Sequence, residues 1–476
     1  MPNKYDVIVV GMGPSSIFCA YELIKLNKFK KVLLIDQGKR VEERYCPIEK
    51  TKKCIHCKPM CNITNGFSGA GAFSDGKLSL YNPEDDEIHV GGNIHKIIGV
   101  PETKRLIDYT DKIYLDFGAD KHLEGTEYKE EIAKINDRAH KEGIRLINIP
   151  IRHLGTEKSH EVYGRLEKYI ENNGIEMMFQ TTVADLIVEN GEIKGVRVKE
   201  AKYVDDEDHE TQELLADKVV LAVGRKGANW LVDMANKHNI ATETGIVDIG
   251  VRYELPDEIM KDVNKYMYEA KFTGRVGPFR DKVRTFCQNP SGFVSAEVYD
   301  NNLTLVNGHS YKERKSTNTN LAILVSHHFT SPFKRPIEYG RNVAQNLNDL
   351  GAGNIVVQRL GDIYRGKRTW DYELERNTVV PTLKSAVAGD ITFALGYRTM
   401  VSILEFIRAV DKIVEGFGAP DNLLYAPEIK FYSNKVVIDK QFETNIKGLY
   451  SIGDGGGMTR GLMMASCSGI QMARNL

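Results

Sequence analysis

Tyr5-Asp6-Val7-Ile8-Val9-Val10 is a β-branched, nearly unbroken apolar run, and Gly11-Met12-Gly13-Pro14-Ser15-Ser16 follows it directly. A run apolar at successive positions suits a strand covered on both faces of a parallel sheet. Two glycines allow a tight turn there. From Ser15 to about Asn27 the apolar residues Ile17, Phe18, Tyr21 and Ile24 recur at helical spacing. Val32-Leu33-Leu34-Ile35 then reads as a second buried strand, closed by Asp36-Gln37. Strand, turn, helix and strand make one βαβ unit.

Such a unit has a definite chemistry. Gly11 permits the turn, Gly13 lets a phosphate group approach the backbone, and Ser16 is small enough for close strand–helix packing. The helix start at Ser15 and Ser16 offers amide donors and the positive end of a dipole. A carboxylate at the end of the second strand, here Asp36, suits a ribose diol. Near the other end of the chain, strand-like Gly448–Ile452 runs into Gly453-Asp454-Gly455-Gly456-Gly457, and a helix is predicted from about Leu462. Asp454 suits a polyol hydroxyl. The helix start at Met463 and Met464 suits a ring that becomes anionic on reduction.

The passage between these ends is mixed. Residues 101–149 look helical and charged. Glu161–Asn172 is an amphipathic helix, and strand-like runs follow, joined through the Asn190-Gly191 turn. Asp205–Asp208 reads as a solvated hairpin tip, and Lys218–Val223 as another buried strand ending in Gly224. From about 247 to 435 short strands and scattered helices suggest a second domain.

These motifs resemble those of FAD-binding flavoproteins of the glutathione-reductase superfamily. Gly66–Lys77, His153–Thr156 and Arg284–Cys287 are further similar to a bacterial family of FAD-dependent dehydrogenases. The resemblance implies an α/β fold: a doubly wound, Rossmann-like FAD domain with an inserted mixed α/β substrate domain. The FAD domain would comprise 1–100, 150–245 and 436–476, with 46–61 and 101–149 as insertions and 246–435 as the substrate or cap domain. It implies FAD held by Gly11, Gly13, Ser15, Ser16, Asp36, Gln37, Gly69, Gly71, Lys77, Val183, Gly224, Gly453, Asp454, Met463 and Met464. The segment Gly69–Lys77 would cover the ring. No second Gly-x-Gly-x-x-Gly unit occurs in 150–330, so NAD(P)H is expected only as a transient electron donor.

The chain has 476 residues, 64 Lys plus Arg against 65 Asp plus Glu, and seven cysteines. A net charge of −1 gives no global attraction to nucleic acid or to an anionic membrane. An odd cysteine count in a long chain does not suit a secreted disulfide framework. No signal peptide and no 18-residue apolar run are seen, so a cytoplasmic location without a membrane span is expected.

Four of the cysteines cluster as Cys46-x7-Cys54-x2-Cys57-x3-Cys61 among lysines. Three readings stay open: a [4Fe–4S] cluster or zinc site, a redox dithiol, or inert thiols. His309, Tyr311 and His153 are the candidate proton-handling residues. Arg359, Arg365, Lys367, Arg368 and Arg398 form a basic group suited either to an anionic substrate or to a solvated face. The expected activity is hydride exchange between FAD and a small organic substrate. The double bond of an activated substrate would be reduced, or the reverse dehydrogenation run. A cluster-bound relay from a donor such as ferredoxin is compatible with it, as is a homo-oligomer. The competing reading is a flavoprotein electron carrier or redox sensor that docks a protein.

Overall fold

The first strand, Lys4–Val10, sits at the centre of a seven-stranded sheet because its side chains are buried on both faces from Val7 onward. It pairs in parallel with Val32–Ile35 on one side and with Gln212–Leu221 on the other. Glu176–Met178 extends the sheet beyond Val32–Ile35, again in parallel. The antiparallel strands Thr181–Glu189 and Glu192–Glu200 extend it beyond Gln212–Leu221. Leu449–Ser451 also pairs in parallel with Gln212–Leu221.

Register is what builds the site. Val10 lies opposite both Ile35 and Leu221, and Leu221 lies opposite Ser451. Four chain segments far apart in sequence therefore end level with one another. The residues that follow them, Gly11, Asp36, Ala222–Gly224 and Ile452–Gly453, collect at the carboxyl end of the sheet. Ligands of doubly wound folds bind at that end.

The computed structural model describes residues 4–47, 57–73, 76–83, 85–243, 245–267, 269–298, 303–310, 314–333, 335–431 and 435–476. The chain forms two compact units. One comprises Met1–Leu123, Pro150–Glu243 and Ser433–Leu476, and the other Glu124–Ile149 and Thr244–Tyr432.

The stretch 101–149, expected as a single helical insertion, is divided between them. The helix Val100–Asp116 buries Leu106, Ile107 and Ile113 in the first unit. There its Thr110 and Tyr114 hydroxyls meet Cys467 and Ser466 of the last helix, Leu462–Asn475. By contrast, Ile144–Ile147 pairs with Lys271–Gly274 as the edge of the second unit's sheet. Burial alternates over only four residues, with Ile144 and Leu146 inside, too short a pattern to distinguish from the adjoining helix by periodicity.

The second unit is an eight-stranded, mainly antiparallel sheet. Its central strands, Val247–Pro256 and Asn318–His327, each run ten residues, longer than the short strands expected for this region. Val247, Ile249, Val251, Tyr253 and Leu255 face a core shared with the helices Pro336–Leu350 and Tyr397–Asp411. The alternate positions Asp248, Arg252 and Glu254 are buried as well, on the other side. Both faces are covered, so polar residues alternate with apolar ones without any solvent-facing side.

Candidate functional site

The helix Pro14–Leu26 starts at Gly13 with no side-chain cap, and Pro14 lacks an N–H. The first-turn donors are therefore those of Ser15 and Ser16, left to whatever binds there. Ser16 Oγ is buried and has no partner among the described residues. A Cβ on Gly13 would touch nothing within 4 Å. An open backbone approach, an uncapped helix start and an orphaned hydroxyl fit the diphosphate of a dinucleotide.

Asp36 organises the neighbouring wall. Its Oδ2 accepts from the Met12 N–H at 2.9 Å, and its Oδ1 accepts from the Gly38 and Gly66 N–H groups, both at 2.7 Å. A carboxylate has about four lone-pair sites, so capacity for a ribose hydroxyl remains. Gln37 Nε2 donates to Asn65 Oδ1 at 2.6 Å. Asp36→Ala removes the acceptor of three amides at once. It is expected to weaken FAD binding by about 100-fold, as charge-assisted hydrogen bonds of this kind contribute. Fluorescence titration of the apoprotein with FAD measures this.

Residues 66–69 form the far lip. Ser68 N donates to Met12 O at 2.7 Å, and a Cβ on Gly69 would lie 3.5 Å from Gly13 Cα. Gly71 packs on Tyr163, whose ring a Cβ would meet at 3.0 Å. Further along, Lys77–Ser79 pairs with Ile151–His153, so Lys77 and His153 are register partners.

The C-terminal segments close the site. Gly453 has φ +74°, and a Cβ there would stand 2.7 Å from Ser15 Oγ. Gly455 approaches Gly224 O, which a Cβ would meet at 2.6 Å. In the last helix, Gly469 lies against Ser15 O, 2.0 Å from where its Cβ would be. The two helices that frame the site thus touch backbone to backbone.

Asp454 Oδ1 accepts from Thr459 Oγ1 at 2.8 Å, and Arg225 Nε lies 3.5 Å from Oδ2. Burial pushes the Asp454 carboxyl above its ordinary value, and Arg225 and Thr459 pull against that shift. The helix Leu462–Asn475 starts at Gly461, φ +86°, again without a side-chain cap. Met463 and Met464 are buried in its first turn. Val183 is buried in the apolar cluster of the first sheet.

The other candidates fare differently. His309 ends the hairpin strand Thr304–His309 in the second unit, with its side chain 50% exposed and 3.9 Å from Glu297. Tyr311 and Cys54 lie outside the described residues. His153 belongs to the first unit and His309 to the second, so they do not form one cluster within either unit.

The basic group is already paired. Arg359 meets Asp421 at 2.8 Å, Lys367 meets Glu373 at 2.6 Å, and Arg398 meets Asp281 at 2.6 Å. Arg365 lies 3.6 Å from Asp362, and Arg368 stacks over Trp370. These are partners within the unit, which the one-letter spacing of a basic stretch does not reveal.

Cys46, Cys57 and Cys61 are free thiols. Among the described residues no group of three or more His, Cys, Asp or Glu is placed to hold a metal, and Cys54, the fourth thiol of the cluster, lies outside them. The Arg44 guanidinium collects the backbone of 62–69 beside Cys61. Arg44, Asn65, Arg225, Thr459 and Gly469 are site-building residues without a motif of their own. Only the extra glycine in the last helix leaves a local trace, since glycine is unfavourable inside helices without a packing reason.

Comparison with known proteins gives two family matches. A model described as FAD binding domain matches residues 138–247, and one described as FAD-dependent protein, C-terminal domain-like, matches 247–430. A Clostridium beijerinckii protein named only as uncharacterized is 25% identical, over 99% of this chain and 81% of its own length. Among solved structures, an Escherichia coli quinol fumarate reductase aligns with TM-score 0.42 and 13% identity, over 99% of this chain and 70% of that one. Aspergillus oryzae formate oxidase aligns with TM-score 0.43 and 12% identity, over 100% and 98%. Among the described residues no helix is long and apolar enough to cross a membrane. The chain thus combines a dinucleotide cradle at the carboxyl end of a mainly parallel sheet with matches to an FAD-binding model and an FAD-dependent-protein model over adjoining stretches.

Proposed function

We propose that the protein reduces an activated double bond of a small organic substrate, or runs the reverse dehydrogenation. FAD, when bound, supplies the hydride exchange. Gly13, Ser15 and Ser16 hold the diphosphate, Asp36 the ribose, and Asp454 the polyol chain. The observation that carries the reading is the uncapped start of Leu462–Asn475, whose Gly461 N–H lies 3.4 Å from Asp454 Oδ2. Its first-turn amides, at Met463 and Met464, favour negative charge on a neighbouring ring, which is what two-electron reduction produces.

His153 is the proton-handling residue better supported by its surroundings. It lies in the unit that holds the cradle and opposite Lys77, in the segment that the family resemblance sets over the ring.

Photoreduction of the flavin, followed by anaerobic mixing with enoates, quinones or ferredoxin, tests the proposal. Fast reoxidation by an enoate or quinone is the expected result. Reoxidation by ferredoxin alone overturns it and favours an electron carrier that docks a protein. Anaerobic bleaching by NAD(P)H, measured in the same apparatus, reports whether a nicotinamide serves as transient donor.

A further inference from the structure

Arg44 follows the short helical turn Val41–Glu43 and is 3% exposed. Each of its N–H donors is used. Nε donates to Asn62 O at 2.7 Å, and Nη2 to Ile63 O at 2.7 Å and Gly69 O at 2.6 Å. Nη1 donates to Phe67 O and to Ser68 Oγ at 3.1 Å. The guanidinium also lies 4.6 Å from the Phe73 ring centroid. Among the described residues no carboxylate stands within ion-pair distance of it.

An arrangement of this kind is costly. A buried guanidinium whose hydrogen bonds all go to carbonyls and a hydroxyl retains an uncancelled charge in a low-dielectric setting. Burial accordingly pushes its pKa down to about 10, with Asp36, Cys61 and Glu167 acting in the opposite direction from a distance. Asp36 cannot approach, because three amides hold it.

The position of the loop explains the investment. Arg44 clamps residues 62–69, and those residues form two walls of the dinucleotide cradle. Ser68 N docks on Met12 O, Gly66 N docks on Asp36 Oδ1, and Gly69 lies beside Gly13. The cation therefore stands one peptide layer behind the backbone that would meet the diphosphate.

We propose that Arg44 is a positioning residue for FAD. It holds the 62–69 lip against the Gly11–Gly13 turn, and its charge is balanced by the diphosphate anion. This rests on the FAD assignment of the cradle.

The test compares wild type, Arg44→Lys and Arg44→Met as apoproteins, titrated with FAD by fluorescence at several NaCl concentrations. Arg44→Met is expected to lose affinity by roughly 100-fold, the scale of a lost set of charge-assisted contacts. Its log Kd should also respond less steeply to log salt than the wild type's. Arg44→Lys keeps the charge but not the five-donor fork, so it should retain the salt response and recover part of the affinity. A clamp without an electrostatic role would move affinity equally in both variants and leave the salt response unchanged, and that result overturns the proposal. So does wild-type affinity in Arg44→Met. If Arg44→Met does not fold, the salt response of Arg44→Lys against wild type still decides, because a flattened response in Lys contradicts the charge argument. Wild-type protein that neither contains nor binds FAD overturns the cofactor assignment itself, a failure distinct from equal binding by all three chains.

Discussion

Gly11→Ala is expected to yield protein with less than about one tenth of the wild-type FAD content, since the added strain exceeds the roughly 1.4 kcal/mol that a tenfold loss of binding requires. The residue has φ +100°, where an L side chain is strained. Its Cβ would stand 2.5 Å from Ala222 O and 3.3 Å from Val223 Cα, both backbone atoms. Neither neighbour can move freely. Gly11 N donates to Ile35 O at 2.7 Å, and Ala222 N donates to Val10 O at 2.9 Å, so the turn is locked to a strand on each side. Backbone strain of about 1–3 kcal/mol and overpacking of about 1–3 kcal/mol act together. The expected displacement opens the Met12–Asp36 and Met12–Ser68 contacts that shape the cradle. Gly13→Ala is the informative contrast. Nothing among the described residues lies within 4 Å of that Cβ, so the apoprotein should melt within a few degrees of wild type. Its FAD affinity should still fall, because the proposed function brings the diphosphate up to this Cα. Absorbance of flavin released on heating and the melting temperature of each apoprotein separate the two effects. Equal behaviour of both variants would contradict the assignment of the turn.

The second large effect is expected in the other unit. Arg252 and Glu428 are both 0% exposed and form a two-pronged ion pair, Nε to Oε2 and Nη2 to Oε1, each at 3.0 Å. The remaining donors of Arg252 reach Cys287 O at 2.8 Å and Asn307 Oδ1 at 3.0 Å. Lys430 approaches Glu428 from outside at 2.8 Å. Arg252→Met leaves a carboxylate buried beside a thioether and should cost about 3–5 kcal/mol. Urea denaturation followed by intrinsic fluorescence measures this. The double variant Arg252→Met/Glu428→Leu removes both charges and should recover most of the loss, because a buried pair is stabilising chiefly against losing one partner. A double variant as unstable as the single would overturn that account. Burial pushes the Glu428 carboxyl up, but Arg252 and Lys430 outweigh it and hold the group below its ordinary value of 4.5. A carboxyl held low in the folded state contributes stability that is complete above the ordinary value and is lost as pH falls through the lower, folded one. Acidification below about 4.5 should therefore weaken wild type through this group, while the double variant lacks that component.

The pair also says something about the design of the sheet. Asp248, Arg252, Glu254 and Glu428 are all buried on the side of the strands opposite the apolar core. Each of these groups keeps a hydrogen-bonded partner, Arg252 with Glu428, Asp248 with Arg284 and Glu254 with Thr382 and Tyr425, as buried charge requires.

Much of the first unit could be read from short stretches of chain. Tyr5–Val10, the Gly11–Gly13 turn and Val32–Asp36 have local requirements, positive φ and close backbone approach, that few residues satisfy. Asp454 announced itself in the same way, by standing at the head of a glycine run after a strand. Those features depend on neighbours within a few positions, and pattern suffices for them. The level ending of four strands, the clamp at Arg44 and the backbone contact of Gly469 with Ser15 depend on segments tens to hundreds of residues apart. So does the fate of the charged groups: Arg359, Lys367 and Arg398 of the basic stretch are paired with Asp362, Asp421, Glu373 and Asp281. Spacing along the chain sets what a residue can do; whether another side chain has already claimed its donors and charge is set by packing, and packing alone assigned them here.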